Sequence, residues 1–512
     1  MSQGAAQVSE WLNVSEVILQ EKSPDLLSPE GAQTSNPEGA RSSSPEGARS
    51  SNPEGARDSA LEEMPGVYIS TYGCQMNVND TERMYSLLEM VNYTPVDSPE
   101  KAQLIIVNSC SIREKPVHKV YSEVGHYKKL KELNPKLLIG IGGCVGQQEK
   151  DKLIQNQPLI DFVFGTDAID ELPALVGRAL EKTTNKKHYR ELKREEKEVL
   201  TGFQHRAPYH VETLVRNPGV ATFVNITKGC DNFCTFCVVP FTRGREKSRP
   251  LEHVLRDVQA LTQRGVKEVT LLGQNVNSYE SLCGADFADL LARLASETDL
   301  QRIRFTTSHP KDFDQKLADV MFRHQHKVCE YIHLPFQSGN TRILGLMNRR
   351  YSREEYLEKI AMIKRAIPNV VLSTDIIVGF PGETEAEFQD TIRLVLEVGF
   401  ETIYAFKYSQ RPNTKAALFE DQVPEDVKSD RLARLFAAHD EMAFPLVKRY
   451  EGQILQVLVE KAEDQKGKWS GRSTQNKSVY FLGGENLVGK MVPVRITKAF
   501  PAVLRGELAL PN

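Results

Sequence analysis

The stretch ATFVNITKGCDNFCTFCVVPFTRGREKSRP, residues 221–250, decides the fold. Its first seven residues read as a β-strand, and the loop that follows carries Cys230, Cys234 and Cys237 as Cys-x-x-x-Cys-x-x-Cys. Three thiolates on one short loop can each hold one iron of a [4Fe–4S] cube and leave the fourth iron open, whereas electron-transfer clusters take four cysteines. A structural zinc site needs four closed ligands, and no fourth Cys or His lies close by in the sequence.

Downstream of this loop, strands are predicted at 267–273, 301–306, 331–336, 370–377 and 402–408, with helical patterns between them. Six βα units predict an incomplete barrel over residues 219–444 rather than the closed eight-unit form. Upstream, VYISTY (67–72), QLIIVNS (103–109), LLIGIGG (137–143) and DFVFG (161–165) alternate with helical patterns at 79–91, 114–133, 145–155 and 168–182. An open parallel α/β domain over 65–183 is the simplest reading. Cys74, Cys110 and Cys144 each follow one of its first three strands. Open α/β sheets bind ligands at the carboxyl ends of strands, and neighbouring strands lie about 5 Å apart. The three loops can therefore converge on a second cluster with one open iron; three unrelated buried cysteines are the alternative. Cys283 and Cys329 have no partner pattern and read as structural.

TTNKKHYRELKREEKEVL (183–200) is charged with little apolar pattern, so 184–218 reads as a linker; a solvated helix suits it equally well. After a helix at 424–449, the segments ILQVLVEKA, VYFLG, MVPVRITKAF and LRGELAL predict a small all-β barrel over 445–512, with eleven bases against six acids. At the other end, PEGA recurs at Pro29, Pro37, Pro45 and Pro53 within a segment of eleven acids and four bases. A Pro/Gly/Ser-rich repeat cannot bury a hydrophobic face, so 1–64 reads as a disordered tail.

The 512-residue chain has a net charge of −3; the tail carries −7, leaving the rest at +4, which permits an anionic partner. Hydrophobic content of 40% and charged content of 26% are ordinary for a globular protein, and no apolar run is long enough to cross a bilayer. The first twenty residues carry acids and no bases, unlike a secretory or transit signal, and predict a cytoplasmic protein. In that compartment eight cysteines point to metal binding or catalysis rather than disulfides.

Residues at the carboxyl ends of barrel strands should face an active site. Gln274 and Asn275, Ser308 and His309, Gln337 and Ser338, and Ser409 fall there, with plain polar loops as the alternative. Arg243, Arg245, Lys247 and Arg249 follow the cysteine loop and could neutralise phosphates or a carboxylate, or form a solvated surface pairing with Glu246. Lys466, Lys468, Trp469 and Arg472 give the C-terminal barrel a mixture of bases and an aromatic suited to RNA, although a lone Trp also suits packing.

The cysteine loop has the spacing of the radical S-adenosylmethionine superfamily. With TYGCQMNVNDTE, VNSCSIREK, GGCVGQ, TLLGQNVNSY and HLPFQSGN, the chain over about 66–510 resembles the methylthiotransferases, and within them the tRNA-2-methylthio-N6-dimethylallyladenosine synthases. The resemblance implies two [4Fe–4S] clusters and S-adenosylmethionine as both methyl donor and radical source, with the open iron of the Cys230–Cys237 cluster chelating it. It implies methylthiolation at C2 of a prenylated adenosine next to the anticodon of tRNA, with the clusters as the only catalytic groups. It also makes the C-terminal barrel a TRAM domain, and Gly379, Pro381, Gly382 and Glu383 in TDIIVGFPGETEAEF contacts to the adenosyl group; a plain strand-to-helix turn is the alternative. Implied partners are tRNA, an electron-donor protein such as a flavodoxin, and iron–sulfur assembly factors, around a monomer with no membrane. Methylthiolation of threonylcarbamoyladenosine, or a non-catalytic iron–sulfur RNA-binding protein, are the competing readings. Two clusters acting on one base require the N-terminal domain to pack over the barrel mouth.

Overall fold

The computed structural model describes residues 64–111, 116–184, 186, 188–203, 209, 213, 215–463 and 467–509. The PEGA repeats and Lys466 lie outside them.

Strands β1 (Gly66–Tyr72), β2 (Thr94–Pro95), β3 (Leu104–Ser109), β4 (Leu138–Gly142), β5 (Phe162–Phe164) and β6 (Glu198–Leu200) form one parallel sheet in the order β2-β1-β3-β4-β5-β6. β3 is buried along its whole length because both faces are covered, as parallel sheets require. Leu104 and Ile106 pack with Met84, Leu88, Leu172 and Val176 of the helices Gln75–Glu89 and Leu172–Thr184. Ile105 and Val107 pack on the other face with Val120 and Val124 of the helix Pro116–His126.

The stretch read as a linker supplies β6, which corrects the expectation. Some of its charges are paired, and Arg190, Glu191, Lys193, Arg194 and Glu195 stay exposed. Glu198 pairs with Arg178 and Lys182, and Lys197 Nζ donates to the carbonyls of Pro158 and Ile160 at 2.6 and 2.7 Å. Three residues that pair through their backbone onto an existing edge leave only a weak periodic signal in the sequence.

The central part runs through β7 (Ala221–Asn225), β8 (Thr227–Lys228), β9 (Lys247–Ser248), β10 (Glu268–Leu272), β11 (Arg302–Phe305), β12 (Tyr331–His333), β13 (Val371–Val378) and β14 (Thr402–Lys407). Two parallel three-stranded sheets, β11-β10-β7 and β12-β13-β14, are joined by a parallel bridge between Ile303 and Val328. Together they make the incomplete six-stranded barrel, filled by one continuous core from Val224 to Leu435.

A helix, Glu425–Lys448, leads to a closed five-stranded barrel of β15 (Ile454–Ala462), β16 (Lys468–Ser473), β17 (Ser478–Leu482), β18 (Met491–Ala499) and β19 (Val503–Leu508), in the order β15-β16-β17-β19-β18. It is docked under the amino ends of the central strands by buried charges. Arg302 Nη2 donates to Gln456 O and Arg304 Nη2 to Ser473 O, both at 2.6 Å, while Glu268 pairs with Arg304 at 2.9 Å. Thr474 Oγ1 donates to Glu330 at 2.8 Å, and Lys477 pairs with Glu401 at 2.8 Å.

Candidate functional site

The loop carrying Cys230, Cys234 and Cys237 is tied off at its base by the antiparallel pair β8–β9, in which Thr227 faces Ser248 and Lys228 faces Lys247. Asn348, from the far side of the barrel mouth, donates through Nδ2 to the carbonyls of Asn232 and Phe233 at 3.1 and 3.0 Å. The three thiols lie close enough to feel one another's charge, and burial pushes Cys230 up to about 11 and Cys237 up to about 12. Arg349 reaches the group from behind. Its buried guanidinium donates to Cys234 Sγ at 3.4 Å and to Pro335 O at 2.8 Å.

Cys74, Cys110 and Cys144 sit at the carboxyl ends of β1, β3 and β4, and the structure brings them together. Hydrogen bonds link Cys110 to both of the others; they and the Arg243 guanidinium lower Cys74 to about 7 and Cys144 to about 6, while Cys110 is raised. Two glycines make this packing possible. Gly73 has φ +136° and a side chain there would meet Cys110 Cβ at 2.3 Å; Gly143 has φ +81° and a side chain there would meet Asn108 Oδ1 at 2.4 Å. Behind the thiols, Asn77 Nδ2 donates to Asn108 Oδ1 at 3.1 Å and Asn108 Nδ2 to Asn77 O at 2.9 Å.

Contacts tie the barrel loop to the N-terminal domain. Thr166 Oγ1 donates to Thr242 O at 2.7 Å, Lys228 Nζ donates to Thr166 O at 2.9 Å, and Lys228 also pairs with Asp167. Asn225 Nδ2 donates to Asn79 Oδ1 at 2.5 Å. Arg243 crosses from the barrel loop to the N-terminal triad and pairs with Asp80 at 2.8 Å. Both shoulders of the barrel loop are therefore fastened to the N-terminal domain.

Among the described residues no group of three His, Cys, Asp or Glu side chains could hold a single metal ion. A four-iron cube spreads its thiolate ligands more widely than one tetrahedral ion does. Each triad supplies three thiols, with Arg349 behind Cys234 in one and Arg243 facing Cys74 and Cys144 in the other, and that donor set fits such a cube.

Other expected site residues divide into two sets. At the barrel mouth, Gln274 Oε1 accepts from Gly229 N–H and Asn275 Nδ2 donates to Asp312 at 2.7 Å, which leaves Gln274 Nε2 and Asn275 Oδ1 buried without partners. Ser308 Oγ and His309 Nε2 are likewise buried and unpartnered. His309 Nδ1 accepts from Lys311 N–H at 3.3 Å, and burial holds its imidazole down to about 2, so the neutral ring carries its proton on Nε2. Gln337 and Ser338 are buried beside them. Gln337, at φ +71°, exchanges backbone hydrogen bonds with Asp375 and Ile377. Ser409 is half-buried beyond β14.

The second set sits differently. Glu383 turns back onto its own turn, accepting from Gly379 N–H at 2.7 Å and pairing with buried Arg431 at 2.9 Å through Oε2, while its Oε1 is buried without a partner. Arg249, only 1% exposed, pairs with Asp257 at 2.6 Å and is a strut. Arg243 is buried as described. Neither offers a donor to a phosphate. Arg245 remains at the surface, but its bidentate partner is Asp231, not Glu246. Glu246 is instead held by Ser278 Oγ, and burial raises it to about 7. Trp469 faces the core of the C-terminal barrel with Val457, Phe481 and Ile496. Lys468 is exposed over the Tyr480 ring, and Arg472 pairs with Glu460 at 2.9 Å. Arg349 and Asn348 escape the sequence reading; NRRY at 348–351 is a polar run with no spacing rule to mark it.

Three family profiles match the chain: the radical SAM superfamily over residues 224–395, the uncharacterized protein family UPF0004 over 66–165, and the TRAM domain over 448–509. A tRNA-2-methylthio-N(6)-dimethylallyladenosine synthase of Bdellovibrio bacteriovorus is 68% identical over 443 residues, covering 86% of this chain and 95% of that protein. One of the same name from Geobacillus thermodenitrificans is 45% identical over 453 residues, covering 86% and 83%. Among solved structures, the radical S-adenosylmethionine methyltransferase TsrM of Kitasatospora setae, with tryptophan and a SAM analogue bound, superposes with a TM-score of 0.51 at 15% identity. The superposition covers 69% of this chain and 75% of that one, a likeness of fold.

Proposed function

The chain belongs to the family of tRNA-2-methylthio-N6-dimethylallyladenosine synthases, and from that premise we propose how its residues carry out the family's reaction. It is a radical S-adenosylmethionine methylthiotransferase that acts on C2 of N6-dimethylallyladenosine in tRNA, with [4Fe–4S] clusters and S-adenosylmethionine as cofactors. The observation that carries the reading is the pair of three-cysteine groups fastened to each other through Lys228, Thr242 and Arg243.

Cys230, Cys234 and Cys237 hold one cluster, and Cys74, Cys110 and Cys144 hold the second. When bound, the clusters supply one-electron reduction of S-adenosylmethionine and a site for the incoming sulfur. Arg349 donates to Cys234 Sγ, and Cys110 with Arg243 favours the thiolates of Cys74 and Cys144. The unpartnered polar atoms of Gln274, Asn275 and Ser308, with Gln337, Ser338 and the Gly379 turn at the strand ends beside them, orient S-adenosylmethionine. Buried hydrogen-bonding groups left without partners cost free energy, which a ligand that meets them recovers. Glu383, with Arg431, holds the Gly379 turn in shape. Arg245, Lys468 and Arg472 are the phosphate-facing bases, because they reach the surface that Arg243 and Arg249 do not.

An electron-donor protein such as a flavodoxin, iron–sulfur assembly factors, a monomeric state and a cytoplasmic location complete the reading. No helix among the described residues is long and apolar enough to cross a membrane. Mass spectrometry of tRNA nucleosides tests the function. The reconstituted protein converts N6-dimethylallyladenosine to its 2-methylthio form; conversion of threonylcarbamoyladenosine instead overturns the choice of base.

A further inference from the structure

Between the two cysteine-bearing segments lies a cavity of about 400 Å³. One wall is the helix Gly143–Glu149 with Lys150, which contains Cys144; the other is the turn Val239–Thr242, which follows Cys237. That volume falls in the range of small-ligand sites. Its chemistry is distinctive. Pro240, Phe241 and Pro412 give it flat apolar surfaces, and the Phe241 ring is 47% exposed. Gln147 donates through Nε2 to Thr201 O at 2.8 Å and Gln148 through Nε2 to Glu149 at 2.8 Å. These bonds tie both amides to the protein, and Gln147 Oε1 lies against Gly165. Lys150 is exposed at the rim.

A ligand that matches this lining has a flat π-face and a negative charge just outside it. A nucleobase carried on a phosphodiester chain has both. We propose that the cavity receives one unpaired nucleobase of the tRNA anticodon loop, stacked on Phe241, with Lys150 against its phosphate. The inference rests on tRNA being the substrate. It adds a base-reading pocket distinct from the polar groups at the barrel mouth.

The test uses the cluster-loaded full chain and anticodon stem-loop RNAs with 2-aminopurine at successive loop positions. One position is quenched on binding, which identifies the base. Phe241→Ala abolishes that quench and weakens binding about 5- to 150-fold, the loss expected when one base–aromatic stack is removed. Phe241→Trp restores both, and Lys150→Ala lowers the slope of log affinity against log salt by about one. A Phe241→Ala protein that binds as tightly as the parent with the quench intact overturns the pocket while leaving tRNA as substrate. A parent protein that binds no stem-loop overturns the substrate reading, and the pocket with it.

Discussion

The two cysteine groups reach a similar donor set by opposite routes. Cys230, Cys234 and Cys237 occupy eight consecutive residues on a loop closed at its base by two strand residues on each side. Cys74, Cys110 and Cys144 are assembled from three strand ends, brought together by the sheet register and by glycines that let the backbones approach. In the contiguous group burial pushes Cys230 and Cys237 up, with one cation behind Cys234; in the dispersed group Cys110 and Arg243 pull two thiols down. A loop can be ordered late and locally, whereas a site spread over a sheet exists only once the sheet does.

The sharpest way to break the comparison is to remove one thiol from each group. Cys230→Ala abolishes both 5′-deoxyadenosine formation and the methylthiolated product. Cys144→Ala abolishes the product but leaves 5′-deoxyadenosine, measured by chromatography under reducing conditions. Equal loss of both products in the two variants would erase the division of labour. Next in size is Arg243→Met, which leaves Asp80 buried and unpaired. It costs about 3–5 kcal/mol of stability by the usual penalty for breaking a buried pair, and iron analysis shows loss from the dispersed group first. Arg349→Met acts on the contiguous group in the same assay, so the two variants sort iron loss by site.

A smaller effect comes from His309. Its folded-state pKa is about 2 against an ordinary 6.5, so below pH 6.5 the unfolded chain binds a proton that the folded chain refuses. Stability is full above pH 6.5 and falls as the pH drops, by at most about 2 kcal/mol at pH 5. Melting curves at pH 7 and 5 should draw closer together in His309→Gln. The smallest effect is Asn348→Ala, which frees two carbonyls of the contiguous loop. It costs about 1 kcal/mol and loosens cluster retention there alone, seen as faster bleaching under a chelator.

Both triads and the three-part architecture are legible in the sequence because they follow short-range rules: cysteine spacing, strand alternation, and ligands at strand ends. What escapes is decided by distant partners. Arg243 reads as a surface base beside Arg245, yet Asp80, 163 residues earlier, draws it inside. Trp469 reads as a base-stacking ring, but alternation along β16 turns it inward between Val457 and Phe481. Arg349 meets Cys234 across 115 residues of chain, and no local pattern marks the pair. Glu198–Leu200 reads as linker because a three-residue edge strand is specified by the sheet it joins.

The docking of the C-terminal barrel under Glu268 and Arg302 sets a length scale. β10 spans five residues from that docking face toward the mouth, a height of about 17 Å at the rise of an extended strand. An RNA that engages both ends must run beside the barrel for at least that distance, as between the jaws of a calliper. Affinity should therefore rise in a step as a stem is lengthened past the span, since the second contact adds as an intramolecular one only when the ligand reaches.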